Sequence, residues 1–286
     1  MIGIVGCGAM GGAMVQRLLE QGQSLVCHDA TPEARRHMAA TGAEVVDDLA
    51  AVASRCKTII LSLPKADIVR AVMSDLGPLL QAGTVILDTS TSEPDTTREL
   101  AAQAEKAGYV FIDGPVSGGP NGARNGTMTM VLGGAAESIE SLRPLLAQLT
   151  AKTVHIGASG SGHATKIANN LLCAANLALM GEMARLAETQ GVSLERLLEG
   201  VNAGSGRSGV SEVNFPLWIL NEQYNSGFTM GLMRKDVGLA VSLAERTELD
   251  LPATRAIAAI WEASRDGLPD SADFNEIYKL GNTPDV

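Results

Sequence analysis

The chain has 286 residues, 45% hydrophobic and 19% charged, with 22 Lys and Arg against 32 Asp and Glu and a formal net charge of −10. At roughly 150 residues per domain this length predicts two globular domains with sizeable cores, and the acidic balance argues against nucleic acid or anionic membranes as partners. Cys7, Cys27, Cys56 and Cys173 form no C-x-x-C pair, which excludes a disulfide framework and points to a reducing, cytoplasmic setting. His28, His37, His155 and His163 lack H-x-H or H-x-x-x-H spacing, so no metal site is expected.

The apolar N-terminus lacks a basic start and is broken by Gly3, Gly6, Gly8, Gly11 and Gly12, unlike a signal peptide. The apolar stretch 167–183 carries Asn169, Asn170, Asn176 and Glu182 and falls short of the roughly 20 clean residues of a membrane span. A soluble protein is predicted.

Short, nearly continuous apolar runs at 2–5, 24–28, 58–62, 84–88, 109–113, 129–132 and 153–156 read as strands buried on both sheet faces. Amphipathic stretches at 13–21, 33–40, 68–76, 93–107 and 136–149 alternate with them. That alternation predicts an α/β fold with a mostly parallel, doubly wound Rossmann-type sheet. After about residue 160 the pattern changes. One long helix is expected over about 162–190, followed by helices at 193–201, with Ser193 as N-cap, near 212–220, at 231–246 and at 252–265. The predicted architecture is a βα domain over 1–160 and an all-α domain over 161–286, joined by that long helix.

Gly6-Cys7-Gly8-Ala9-Met10-Gly11 matches G-x-G-x-x-G, placed directly after a strand and opening a helix. In that setting Gly6 permits the tight turn, Gly8 lets a dinucleotide pyrophosphate approach the backbone, and Gly11 lets helix and strand pack closely. Asp29 ends the second strand about 20 residues on, where a carboxylate can hold ribose hydroxyls and repel the extra phosphate of NADP. The residues that follow it offer no Arg, although Arg35 and Arg36 lie one turn into the next helix. NAD is therefore the expected cofactor, ahead of NADP.

Three further segments carry chemistry. The Gly-rich loop 113–123 follows a strand, and the N–H groups of Ser117, Gly118 and Gly119 with the Ser117 hydroxyl offer a nest for a substrate carboxylate. At the start of the long helix Lys166 and Asn170 share a face, with Gly162 one turn earlier leaving room beside them. A lone lysine on a helix is ordinarily a solvated charge, but this one sits among small and apolar residues. Partial desolvation would depress its pKa and suit it to proton exchange near neutrality. Lys235-Asp236 lies in an otherwise apolar helix; the pair is either an ordinary surface pair or one that projects a cation into a cleft.

Together these motifs, in this order and spacing over essentially the whole chain, resemble the β-hydroxyacid dehydrogenase family, which includes 3-hydroxyisobutyrate dehydrogenase and tartronate semialdehyde reductase. The resemblance implies an NAD-dependent oxidoreductase interconverting a small 3-hydroxy acid and its semialdehyde or keto form. It implies Lys166 as general acid/base, Ser117, Gly118 and Gly119 on the substrate carboxylate, and Asn170 orienting the reacting group. It also places Lys235 at the cofactor–substrate cleft, puts Leu63, Pro64 and Thr91 against the cofactor beside Gly6, Gly8, Ala9, Met10, Gly11 and Asp29, and implies a homodimer or homotetramer. Ser205-Gly206-Arg207 resembles a family segment, but small Ser208 and Gly209 follow where bulk is expected, leaving room for a larger or more polar substrate. Arg207 is either a grip for a second acidic group or a surface cation, and Phe215, Trp218 and Phe228 are pocket walls or oligomer core. The competing readings are a tartronate semialdehyde reductase, an imine reductase, against which Lys166 counts, and a non-catalytic NAD-binding sensor or scaffold.

Overall fold

The computed structural model describes residues 1–280; the end of the expected second domain, 281–286, lies outside the described residues. The chain divides into two compact units, the first Met1–Lys166 and the second from Ile167 onward.

In the first unit the elements in chain order are β1 (Ile2–Val5), α1 (Ala9–Glu20), β2 (Leu25–His28), α2 (Pro32–Ala40), β3 (Glu44–Val45), α3 (Leu49–Arg55), β4 (Thr58–Leu61), α4 (Ala66–Leu76), β5 (Val85–Asp88), α5 (Pro94–Ala107), β6 (Val110–Asp113), β7 (Val116–Ser117), α6 (Gly119–Asn125), β8 (Met128–Gly133), α7 (Ala136–Ser141), α8 (Arg143–Leu149) and β9 (Thr150–Gly157). The sheet runs β3-β2-β1-β4-β5-β6-β8-β7, with β9 paired to β8. From β3 to β6 all pairs are parallel, β8 runs antiparallel to β6 and β7, and β9 is parallel to β8. The Rossmann-type fold is as predicted. Its central strands are apolar apart from Thr58 at the start of β4 and the Asp residues that end β5 and β6, as suits strands covered by helices on both faces. Ile4, Met14, Leu18 and Ile60 fill one core, and Val26, Ile59, Leu61 and Leu76 the other.

Local differences from the predicted elements have identifiable causes. Helix α1 starts at Ala9 rather than 13, because Gly11 and Gly12 are buried and contact with neighbouring chain outweighs the helix cost of glycine. The segment expected as a loop over 113–123 instead contains β7 and α6. The helix expected over 136–149 breaks at Leu142, since Pro144 lacks the N–H needed to continue it and opens α8. The short β3 and α3 had no clear periodic signal; α3 is opened by Asp48, which accepts from the Ala51 N–H at 2.8 Å.

Helix α9 (Ser161–Glu188) begins in the first unit and continues into the second, which adds α10 (Leu194–Ala203), a π-helix over Val210–Ile219, α11 (Met230–Arg246) and α12 (Pro252–Ala263). Ser193 caps α10 and Thr229 caps α11, as their side chains accept from Arg196 and Leu232 N–H. The core here gathers Leu177, Phe215, Met230, Val237 and Trp261. Phe215 is fully buried edge-on to Tyr278 within this core, and the half-buried Phe228 packs edge-on to Phe274 at its margin. Among the described residues no helix is long and apolar enough to cross a membrane.

Candidate active site

The glycine-rich turn between β1 and α1 has the shape that a dinucleotide requires. At Gly6, with φ of +93°, a Cβ would lie 2.3 Å from the Ser62 carbonyl oxygen, and at Gly11 one would lie 1.9 Å from that of Gly6. At Gly8 a Cβ would meet nothing within 4 Å, so the backbone there is open to an incoming group. The first turn of α1 carries no acidic residue of its own, and the positive end of a helix dipole favours an anion. These residues fit a pyrophosphate.

Asp29 stands beside this turn at the end of β2. Its carboxylate accepts from the Cys7 N–H at 2.8 Å and from the Thr31 N–H and hydroxyl at 2.8 Å each. Burial alone would raise its pKa, but these donors outweigh burial and hold the carboxyl below its ordinary value. Arg35 does reach back: its Nη1 donates to the Asp29 carbonyl at 2.6 Å and to that of Ala30 at 3.2 Å. An arginine is therefore present at the end of β2, which sequence spacing alone left open. On the next strands Leu63 is tied to the segment after β5, since its N–H donates to Ser90 Oγ at 3.0 Å. Pro64 is exposed and Thr91 half-buried beside them.

Lys166 is buried in the first turns of α9, 8% exposed, and its Nζ donates to Ser117 Oγ at 3.0 Å. Gly118 and Gly119 follow Ser117 with consecutive positive φ values of 121° and 62° as α6 begins. What aligns lysine and serine is Asp113, fully buried at the end of β6. Its carboxylate accepts from the N–H groups of Gly160 at 2.8 Å and His163 at 3.0 Å, capping α9. Gly162 makes way for this cap and not for a ligand: a Cβ there would lie 2.7 Å from Asp113 Oδ2.

In the second unit Asn170 is also buried. Its Oδ1 accepts from Asn169, and its Nδ2 donates to Asp236 Oδ2 at 2.5 Å. The other oxygen of the buried Asp236 lies 3.1 Å from Lys235 Nζ, so this carboxylate joins Asn170 to Lys235. Sequence reasoning had singled out the Lys-Asp pair but assigned a role only to Lys235. An acid inside an otherwise apolar helix was the available signal. Asp88, Asp113 and His163 were likewise missed; for the two carboxylates the signal was their place at strand ends in a Rossmann-type sheet.

Residues 1–157 match the family model for the NAD binding domain of 6-phosphogluconate dehydrogenase, and residues 160–281 match that for the NAD-binding of NADP-dependent 3-hydroxyisobutyrate dehydrogenase. The chain is 35% identical to 2-(hydroxymethyl)glutarate dehydrogenase of Eubacterium barkeri, over 98% of this chain and 94% of the relative. It is 34% identical to the mitochondrial 3-hydroxyisobutyrate dehydrogenase of Bos taurus, over 86% of this chain and 76% of the relative. The solved structure of Mycobacterium tuberculosis 3-hydroxyisobutyrate dehydrogenase with L-serine superposes with a TM-score of 0.90 at 29% identity, covering 97% of each chain. The chain belongs to the β-hydroxyacid dehydrogenase family and is an NAD(P)-dependent 3-hydroxyacid dehydrogenase of the 3-hydroxyisobutyrate dehydrogenase type.

Proposed function

We propose that this dehydrogenase interconverts a small 3-hydroxy acid of the 3-hydroxyisobutyrate type and its semialdehyde with NAD, using Lys166 as general acid/base. The observation that carries the reading is the buried Lys166 held 3.0 Å from Ser117 Oγ, a proton-transfer group set against a hydroxyl and the glycine N–H groups after it. A nicotinamide cofactor held by the glycine-rich turn would supply the hydride chemistry. Lys166, as neutral amine, takes the hydroxyl proton in oxidation, and as ammonium returns it to the carbonyl oxygen in reduction. Ser117, Gly118 and Gly119 bind the substrate carboxylate. Asn170 orients the reacting group with the amide hydrogen not given to Asp236, and Lys235, paired with Asp236, supplies a cation to substrate and cofactor.

Gly6, Gly8, Ala9, Met10 and Gly11 hold the pyrophosphate, Asp29 the ribose, and Leu63, Pro64 and Thr91 the nicotinamide side. The Asp29 carboxylate supports NAD over NADP, whose 2′-phosphate it repels. Residues 1–160 are assigned to the cofactor and 161–286 to substrate and self-association. Leu172, Leu179, Met183 and Leu186 form an exposed apolar stripe on α9, which supports a homodimer or homotetramer.

A second reading is a longer, dicarboxylic hydroxy acid. Arg207 is exposed, with no ion pair among the described residues, and the Eubacterium barkeri relative acts on 2-(hydroxymethyl)glutarate. Initial rates with NAD⁺ and NADP⁺ against 3-hydroxyisobutyrate, glycerate, 3-hydroxypropionate, threonate, serine and 2-(hydroxymethyl)glutarate decide the matter. The highest kcat/KM with NAD⁺ and 3-hydroxyisobutyrate is expected. A preference for the dicarboxylate that Arg207→Ala abolishes would establish the second reading in its place.

A further inference from the structure

The imidazole of His163 is fully buried, one turn before Lys166 on α9, and the mechanism above does not use it. Its Nε2 lies 2.9 Å from the Ser90 carbonyl oxygen and its Nδ1 2.7 Å from Thr97 Oγ1. A carbonyl only accepts, so Nε2 carries a proton, whereas the Thr97 hydroxyl can serve Nδ1 in either sense. Asp88 Oδ2 stands 4.0 Å from Nε2, and the other Asp88 oxygen accepts from the Ser90 N–H at 3.0 Å. Ser90 thus sits between two holds: its carbonyl on His163 and its hydroxyl on the Leu63 N–H.

We infer that His163 is a positioning residue that links the segment after β5, through the Ser90 carbonyl, to the turn of α9 carrying Lys166, so that a bound cofactor sets the place of the lysine. This deepens the dehydrogenase reading and rests on it for the roles of Lys166, Leu63 and Thr91. Asp113 holds the helix start through main-chain N–H groups and touches neither Leu63 nor the segment after β5 through these bonds. The His163 ring is different, because it reaches the residue that lies between Leu63 and Thr91, the side of the site given to the nicotinamide. Residues three apart on a helix are neighbours, so a shift at His163 moves Lys166 with it. A displacement of about 1 Å at a reacting group costs on the order of 10²-fold in rate.

Two conservative substitutions separate the two bonds, since an Asn amide falls near the place of Nδ1 and a Gln amide near that of Nε2. His163→Gln keeps a donor for Ser90 and His163→Asn does not. The first readout is amide hydrogen exchange of residues 160–166 with and without NADH, which needs no turnover. NADH is expected to slow exchange there in the wild-type protein and in His163→Gln, but not in His163→Asn. The second is kcat at saturating substrate, with melting curves to confirm folding: a fall of about 10- to 100-fold in His163→Asn and less than about threefold in His163→Gln. Thr97→Val, which deletes only the other bond, is expected to behave as wild type in both. The link is overturned if His163→Asn keeps the NADH-dependent slowing, if wild type shows none, or if Thr97→Val loses as much as His163→Asn. A wild-type protein that binds NADH and shows the exchange contrast, yet oxidises no hydroxy acid, would instead refute the substrate reading and leave the link standing.

Discussion

Lys166 and Ser117 are 49 residues apart in the chain, yet the lysine Nζ donates to the serine Oγ at 3.0 Å. The contact follows from one buried carboxylate. Asp113 ends β6 four positions before Ser117 and caps the helix on which Lys166 sits, so a strand end and a helix start are fixed to the same group. Lys166→Ala should therefore lower kcat by about 10²- to 10⁴-fold, the usual contribution of general acid–base catalysis. The Kd for NADH, measured by calorimetric titration, should stay within about threefold. A loss of only a few-fold in kcat would remove the acid/base role.

Asp236 accepts from Asn170 and touches Lys235, so its removal should act through Asn170. Asp236→Ala and Asn170→Ala are each expected to lower kcat/KM by about 10-fold or more, and the double variant little further. Residues that act as a unit are non-additive. Full multiplication of the two losses would mean that the contact has no part in catalysis.

Asp29→Ala is expected to narrow the ratio of kcat/KM for NAD⁺ over NADP⁺ by about 10-fold or more, because the charge facing a 2′-phosphate is gone while Arg35 stays at the end of β2. Adding Arg35→Ala should reverse the gain with NADP⁺. An unchanged ratio in the single variant would show that Asp29 serves only to hold the Cys7 N–H and Thr31.

Two glycines of one turn should respond differently. Gly11→Ala puts a Cβ into the Gly6 carbonyl, so both the melting temperature and NADH binding should fall. Gly8→Ala meets open space, so the melting temperature should stay near wild type while NADH binding weakens by about 10-fold or more. Wild-type NADH affinity in Gly8→Ala would place the pyrophosphate elsewhere.

Burial pushes the Asp88 carboxyl up, against the smaller opposing pull of His163 and the Ser90 hydrogen bond. An unfolded Asp releases its proton near pH 3.9, roughly, whereas the folded one holds it to higher pH. The native state then binds more protons, and stability from this group falls as pH rises above about 4 until the folded value is passed. Asp88→Asn keeps an acceptor for the Ser90 N–H without that slope. Its melting temperature relative to wild type should rise from about pH 4 upward, and a pH-independent difference would count against the buried-carboxylate account.

Much of this molecule was legible from local pattern. The glycine turn announced itself because Gly6, Gly8 and Gly11 lie within one strand-to-helix junction, where each glycine has a separate steric task. The alternation of apolar strands with amphipathic helices specified a Rossmann-type sheet, and the helical character beyond about residue 160 was equally plain. The resemblance drew Lys166, Ser117 and Asn170 together as members of one site. Partners distant in sequence were another matter. No spacing rule says that Asp113 caps α9, that Asp236 holds Asn170, or that His163 reaches Ser90 and Thr97, since each is a hydrogen bond between groups that only packing brings together. A buried polar group must find a partner, but the partner is chosen by which strand end and which helix turn become neighbours. Local sequence thus specified the elements and the chemistry of the turns, and the three-dimensional arrangement selected which buried carboxylate caps α9, which one pairs with Asn170, and which carbonyl the buried imidazole meets.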